Sequence, residues 1–233
     1  MTPTRLVAVL TILLTTGCAA SKGLPPEQLR NILAQEEARF VGPQQPEQPS
    51  AGGASRASAR SLGLYLKPTG FLNREFEWTD RDRETVLTWA KGVQANGPAT
   101  SAGFVPLSSL KGHTLTELRA SAVRYGFDFL VVFDGAAAVD RYNNYKGPLL
   151  YWTILGAYFA DGTQSDALCV VKGSVWDVKT GAQLHSEEAE GRSQMVGPAA
   201  FVDDDQGILK ARQEALTELL AKLKSRLTRL RNP

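Results

Sequence analysis

Apolar residues recur along this chain with two spacings. Beyond the acidic cluster Asp203–Asp205, Ile208, Ala211, Ala215, Leu216, Leu219, Leu223, Leu227 and Leu230 lie mostly three or four apart. That is the repeat of a helix with one buried stripe. The acidic start and the late Lys222, Lys224, Arg226, Arg229 and Arg231 suit the two ends of its dipole. Residues 79–97 repeat the pattern with Val86, Leu87, Ala90 and Val93; Thr79 or Asp80 is the cap, and Gly97 follows the end. Residues 114–126 do so with Leu115, Leu118, Ala122 and Tyr125. Thr114 and Glu117 have capping-box spacing, and Gly126 supplies a left-handed terminus.

The other spacing is that of strands. Leu62, Leu64 and Leu66 alternate in "SLGLYLKP", and "AGFVPLSSL" reads as a second, short strand. Leu130 to Phe133 is continuously apolar, as a strand covered on both faces should be. Strand, helix, strand, helix, strand over residues 62–139 predicts an α/β fold, a mixed sheet flanked by helices, with α+β as the alternative. Further on, "ALCVVKGSVW" and "AQLHSEEAEG" are joined by the turn signal "DVKTG", and the second strand becomes polar like an edge. The run 148–162, "PLLYWTILGAYFADG", is rich in strand-forming residues. It is expected to pair through "DGTQSD" with "ALCVVKGSVW". It is apolar on both alternating faces, which suits a core strand better than a pore strand. A partner-binding patch or a membrane-inserting segment are the alternatives.

The amino terminus changes the picture most. Arg5, an apolar run from Leu6 to Leu14 and the small residues before Cys18 have the form of a secretory signal. The run is far short of the roughly 20 residues that span a bilayer. "LTTGC" is similar to the bacterial lipobox, which implies cleavage between Gly17 and Cys18 and diacylation of Cys18. Ala19 then points to the outer membrane, most simply its periplasmic face, with the cell surface as the alternative. Residues 18–60, with their Pro-, Gln- and Ser-rich stretch, read as a flexible tether containing at most a short helix on Leu29, Ile32, Leu33 and Phe40. The folded domain is therefore expected at 61–233.

Composition adds limits. Of 233 residues, 43% are hydrophobic, enough for one core. A formal charge of +2 makes nucleic acid a poor partner. His113 and His185 have no metal-ligand spacing, and both read as surface residues. "VDDDQG" lacks calcium-loop spacing, and "SEEAEG" reads as a solvated charge run. Cys169 reads as a buried thiol. No phosphate loop or nucleophile elbow occurs, so no catalytic residue, cofactor or metal is expected.

Residues 149–184 resemble the rhombotarget lipoproteins. The resemblance rests on Tyr151, Trp152, Thr153, Ile154, Gly156, Ala157 and Tyr158, then Asp166, Trp176 and Asp177. It is supported by the lipobox and by "YGFDFLVVFDG". More distantly, the element order is similar to the curli-secretion lipoprotein, the lipoprotein activators of penicillin-binding proteins and the amino-terminal domain of the Tol-system propeller protein. The resemblance implies a non-enzymatic lipoprotein held on a bilayer by Cys18, with an envelope protein as partner. An adaptor or assembly factor is the first expectation. A regulator of a cell-wall synthesis enzyme and a homo-oligomeric secretion subunit are the alternatives.

Overall fold

The computed structural model of the chain describes residues 21–42, 60–68, 70, 73, 75–96, 99–110, 112–143 and 161–231. In chain order these form α1 (Pro26–Val41), β1 (Arg60–Leu66), α2 (Asp80–Asn96), β2 (Ala99–Phe104), α3 (Leu115–Arg124), β3 (Phe129–Asn143), β4 (Thr163–Asp177), β5 (Gln183–Gly197) and α4 (Asp204–Arg231). The strands make one mixed sheet in the order β2-β1-β3-β4-β5. β1 is parallel to both β2 and β3, while β3, β4 and β5 are successively antiparallel. The α/β class expected from the element order is the class observed.

Helices cover both faces. Val86, Ala90 and Val93 of α2 and the apolar stripe of α4 pack with Leu64, Val131, Phe133, Cys169 and Val171. On the other face, Leu115, Leu118 and Ala122 of α3 pack with Tyr65, Leu130, Val132 and Trp176. The crossovers β1-α2-β2 and β2-α3-β3 move in opposite directions across the sheet. Right-handed connections therefore place α2 and α3 on opposite faces. Local chemistry sets the ends of the helices. Thr79 and Asp82 exchange a reciprocal cap at the start of α2. Thr114 caps α3, and Asp203 accepts from the amides of Asp205 and Gln206 before α4. Gly126 has φ 73°, the left-handed ending expected of it. At Gly191 the backbone of α4 comes so close to β5 that a Cβ would strike the carbonyl of Ala211.

Tyr125, expected on the inward stripe of α3, is its C-terminal cap and stays exposed. Two larger expectations are also corrected. Residues 163–166 are not a turn: β4 begins at Thr163, and its hydrogen-bonded neighbours are β3 and β5, in register from Asn143↔Thr163 to Phe129↔Asp177. Thr163 and Ser165 face inward and are buried, so a polar stretch is still a strand. The other concerns the tether. α1 is a 16-residue helix docked on the sheet, with Leu29 and Leu33 against Ala136, Leu168 and Val170, and Phe40 stacked on Tyr65. Burying three large apolar side chains contributes about 5–8 kcal/mol, enough to hold a helix that its propensity alone would not. The body therefore begins well before Ser61.

Candidate functional site

In open α/β sheets, ligands sit beyond the carboxyl ends of the strands where the strand order reverses. Here that place is between the end of β1 and β3, and two charged residues occupy it. Lys67 follows β1 and Asp134 follows the apolar run of β3; Lys67 Nζ lies 2.5 Å from Asp134 Oδ2. Glu36 of α1 reaches the same ammonium at 3.7 Å. Next to it, Lys172 of β4 pairs with Glu37 at 2.7 Å and Glu188 at 3.7 Å. Two carboxylates thus share the buried Lys67 ammonium, and the exposed Arg39 guanidinium meets Glu36 from the outer side at 3.6 Å. Burial pushes the Asp134 carboxyl up and Glu36 adds to the rise, against the pull of Lys67. Tyr65, whose Oη is 3.1 Å from His113 Nδ1, is pushed up to about 12 by burial and then by Asp134.

The chain fills this crevice itself. Asn73 donates to the carbonyl of Gly135 at 2.7 Å and accepts from the Ala137 amide at 3.3 Å, standing in for the strand neighbour that β3 loses after Phe133. Phe76 packs so tightly on Gly135 that no Cβ would fit there. The space left among Glu37, Phe40, Lys67, Val132, Asp134, Lys172, Ser174 and Trp176 is about 10 Å³. That is room for a single water, far below the several hundred Å³ of a small-molecule site. Each charged group there is held by another.

On the opposite face a second buried pair joins α4 to α2. Arg212 Nε lies 2.9 Å from Asp82 Oδ2, without hydrogen-bond alignment, and the same guanidinium contacts the carbonyl of Glu77. This pair is structural, since Asp82 also caps α2.

The residues singled out by sequence are not brought together. Gly17, Cys18, Tyr151, Trp152, Thr153, Ile154, Gly156, Ala157 and Tyr158 lie outside the described residues. Asp166 stands on β4 opposite Asp140 and accepts from Tyr142 Oη at 2.9 Å and Gln194 Nε2 at 3.0 Å. Trp176 and Asp177 are at the other end of the same strand, about 35 Å away at the strand rise. Trp176 is core, while Asp177 closes the turn by accepting from the amides of Thr180 and Gly181. Cys169 is fully buried, and burial raises its thiol to about 12. His113 is exposed and His185 half-buried. "SEEAEG" is not merely solvated. Glu187 meets His185 and Arg226, Glu188 meets Arg30 and Lys172, and Glu190 meets Arg30.

What sequence reading missed is the cluster around Lys67. A signal was present: Glu36 lies on the same helical stripe as Leu29, Leu33 and Phe40, and Asp134 interrupts an apolar strand. A charge on a buried stripe asks for a buried partner.

No helix among the described residues is long and apolar enough to cross a membrane. No family model matches the chain, and no curated protein matches it. Among solved structures, the chain is similar to a neuraminyllactose-binding hemagglutinin homolog from Helicobacter pylori, with 12% identity, 79% of this chain and 91% of that one covered, and a TM-score of 0.45. It is also similar to a minor lipoprotein from Acinetobacter baumannii, with 10% identity, 75% and 94% covered, and 0.37. A third is the LpoB C-terminal domain from Salmonella enterica, with 13% identity, 59% and 86% covered, and 0.30. Likeness at this level concerns the broad path of the backbone and carries no function with it.

Proposed function

We propose that the chain is a non-enzymatic lipoprotein of the bacterial envelope, anchored through acylated Cys18, whose body serves as an adaptor or assembly factor. The observation that carries this reading is the filled crevice. The place where an α/β sheet would take a ligand holds Lys67, Asp134 and Glu36, closed over by α1 and Asn73. A body of this kind offers surfaces to a partner rather than a cavity to a substrate. The lipobox-like "LTTGC" supports the anchor, Ala19 supports the outer membrane, and the resemblance of residues 149–184 to rhombotarget lipoproteins supports the class.

The test begins with the anchor. Mass spectrometry of the protein from native membranes is expected to find a mature chain starting at acylated Cys18. Cys18→Ala is expected to move the protein out of the outer-membrane fraction. An unchanged membrane fraction in that variant, with no acyl mass on the wild type, overturns the reading. For the adaptor role, photocrosslinking at exposed surface positions in cells should trap the same envelope protein reproducibly; crosslinks to the chain alone would contradict it.

A further inference from the structure

The first described residues are strapped to one end of the sheet. Ser21 Oγ donates to Asp140 Oδ2 at 2.7 Å, and the Gly23 amide donates to the same oxygen at 2.9 Å. α1 then runs away from that end, with Leu29 and Leu33 over Ala136 and Phe40 over Tyr65. Asp140 is near the end of β3 from which the chain leaves at Asn143, to return at Thr163. We infer that this end of the sheet, bearing Asp140, Val196 and Phe201, rests against a phospholipid surface, with the long strands β3, β4 and β5 rising away from it. The inference rests on the reading of Cys18 as the lipid anchor.

Reach decides the matter. Two residues, Ala19 and Ala20, separate Cys18 from Ser21, and the three Cα–Cα steps between them span at most about 10 Å. A free coil over residues 18–60 would instead average about 35 Å between its ends and could extend several times farther. With Ser21, Gly23 and α1 held on the body, that longer reach is lost, and the Asp140 end cannot leave the headgroup region. Among the described residues, two large apolar side chains are exposed at this end: Val196, which pairs with Gln164, and Phe201, 68% exposed in the segment that follows β5. Val123, Tyr125 and Leu184 are exposed elsewhere, so apolar exposure alone does not choose the end; the anchor does. Near this end the Asp140 and Asp166 carboxylates are met by Ser21, the Gly23 amide, Tyr142 and Gln194, while Asp203 and Asp205 at the start of α4 are exposed, which suits apposition to the surface without insertion. The outer face of α4 carries Lys210, Gln213, Glu214 and Glu218 beside a single part-exposed leucine, Leu209, so it offers a lipid surface little apolar area.

The chain allows a clean measurement because Cys169 is fully buried. A thiol introduced by Val196→Cys or Lys179→Cys can be labelled selectively. The two positions sit at opposite ends of β4 and β5, about 40 Å apart at the strand rise. Full-length protein carrying a donor dye at one of them is reconstituted in phosphatidylethanolamine–phosphatidylglycerol vesicles with acceptor dye on the headgroups. The dye at 196 is expected to be quenched several-fold more than the dye at 179. Asp140→Ala, which releases the strap, is expected to narrow that difference. Equal quenching at the two positions, or stronger quenching at 179, in protein whose Cys18 acylation has been verified by mass spectrometry overturns the inference. Absence of the acyl mass counts against the underlying reading instead.

Discussion

Asp140 shows how one carboxylate can organise a terminus. Its pKa is held below the usual carboxylate range, first by the Ser21 hydroxyl and then by backbone amides including that of Gly23. A depressed folded-state value means that its contribution is complete above the ordinary pKa and fades as pH falls through the folded value. The Gly23 amide resonance is therefore expected to titrate with a midpoint below that of a free aspartate, and Asp140→Asn to abolish the titration. A midpoint at the ordinary value would mean that the strap is not formed. Asp134 runs the other way: burial raises it more than Lys67 lowers it, so protonation relieves a desolvation cost larger than the ion-pair attraction it gives up. The buried Arg212–Asp82 pair makes a third case. Arg212→Met leaves Asp82 buried without its partner and is expected to cost about 3–5 kcal/mol in urea unfolding. Asp82→Asn with Arg212→Met should recover part of that loss, because the asparagine can still cap α2. A single-variant loss under about 1 kcal/mol would mean that the pair is solvated.

At the scale of elements, α1 decides how the fold is read. Its sequence stripe is weak because Glu36 and Glu37 lie near Leu33 and Phe40, and the residues after it are rich in proline and glutamine. The three other helices carry cleaner stripes with recognisable caps, and they were legible for that reason. Sheet pairing was legible only in part. The turn at Asp177–Gly181 is a local signal, and it correctly joins β4 to β5. The β3–β4 pairing is not local, and the polar Thr163 and Ser165 hid the start of β4 because burial here depends on α4: Ser165 donates to Asp204 at 2.6 Å. The cluster at Lys67 draws on α1, β1, β3, β4 and β5, and no single window of sequence contains it. The cysteine motif is a local signal too, and it lies outside the described residues. Docking of α1 has a direct consequence. Leu33→Ala removes a fully buried side chain at a cost of about 2–5 kcal/mol. Since Leu33 sits at the middle of the docked stripe, the helix is then held far more weakly on the sheet. Trypsin is expected to cut after Arg30 and Arg39 many times faster in that variant than in wild type. Equal rates would indicate that α1 does not depend on the sheet.

For the whole molecule, the packing of α1 changes what would lie between the proposed Cys18 anchor and the body. Residues 43–59 connect α1 to β1, two elements of the same body, so under the proposed Cys18 anchor they would add no reach between bilayer and body. With the Cys18 anchor proposed above, a regulator that must reach far across the envelope would fit less well than an adaptor working close to the membrane. Helices cover both faces of the sheet, the crevice at its switch point is closed, and the long β3–β4–β5 ribbon carries at one end the Asp140 contacts of Ser21 and Gly23. Amide hydrogen exchange across α1 in the full-length lipidated protein tests this account most directly. The amides of residues 30–40 are predicted to exchange as slowly as those of β3. Exchange at random-coil rates there, with β3 protected, would contradict it and restore a long free tether.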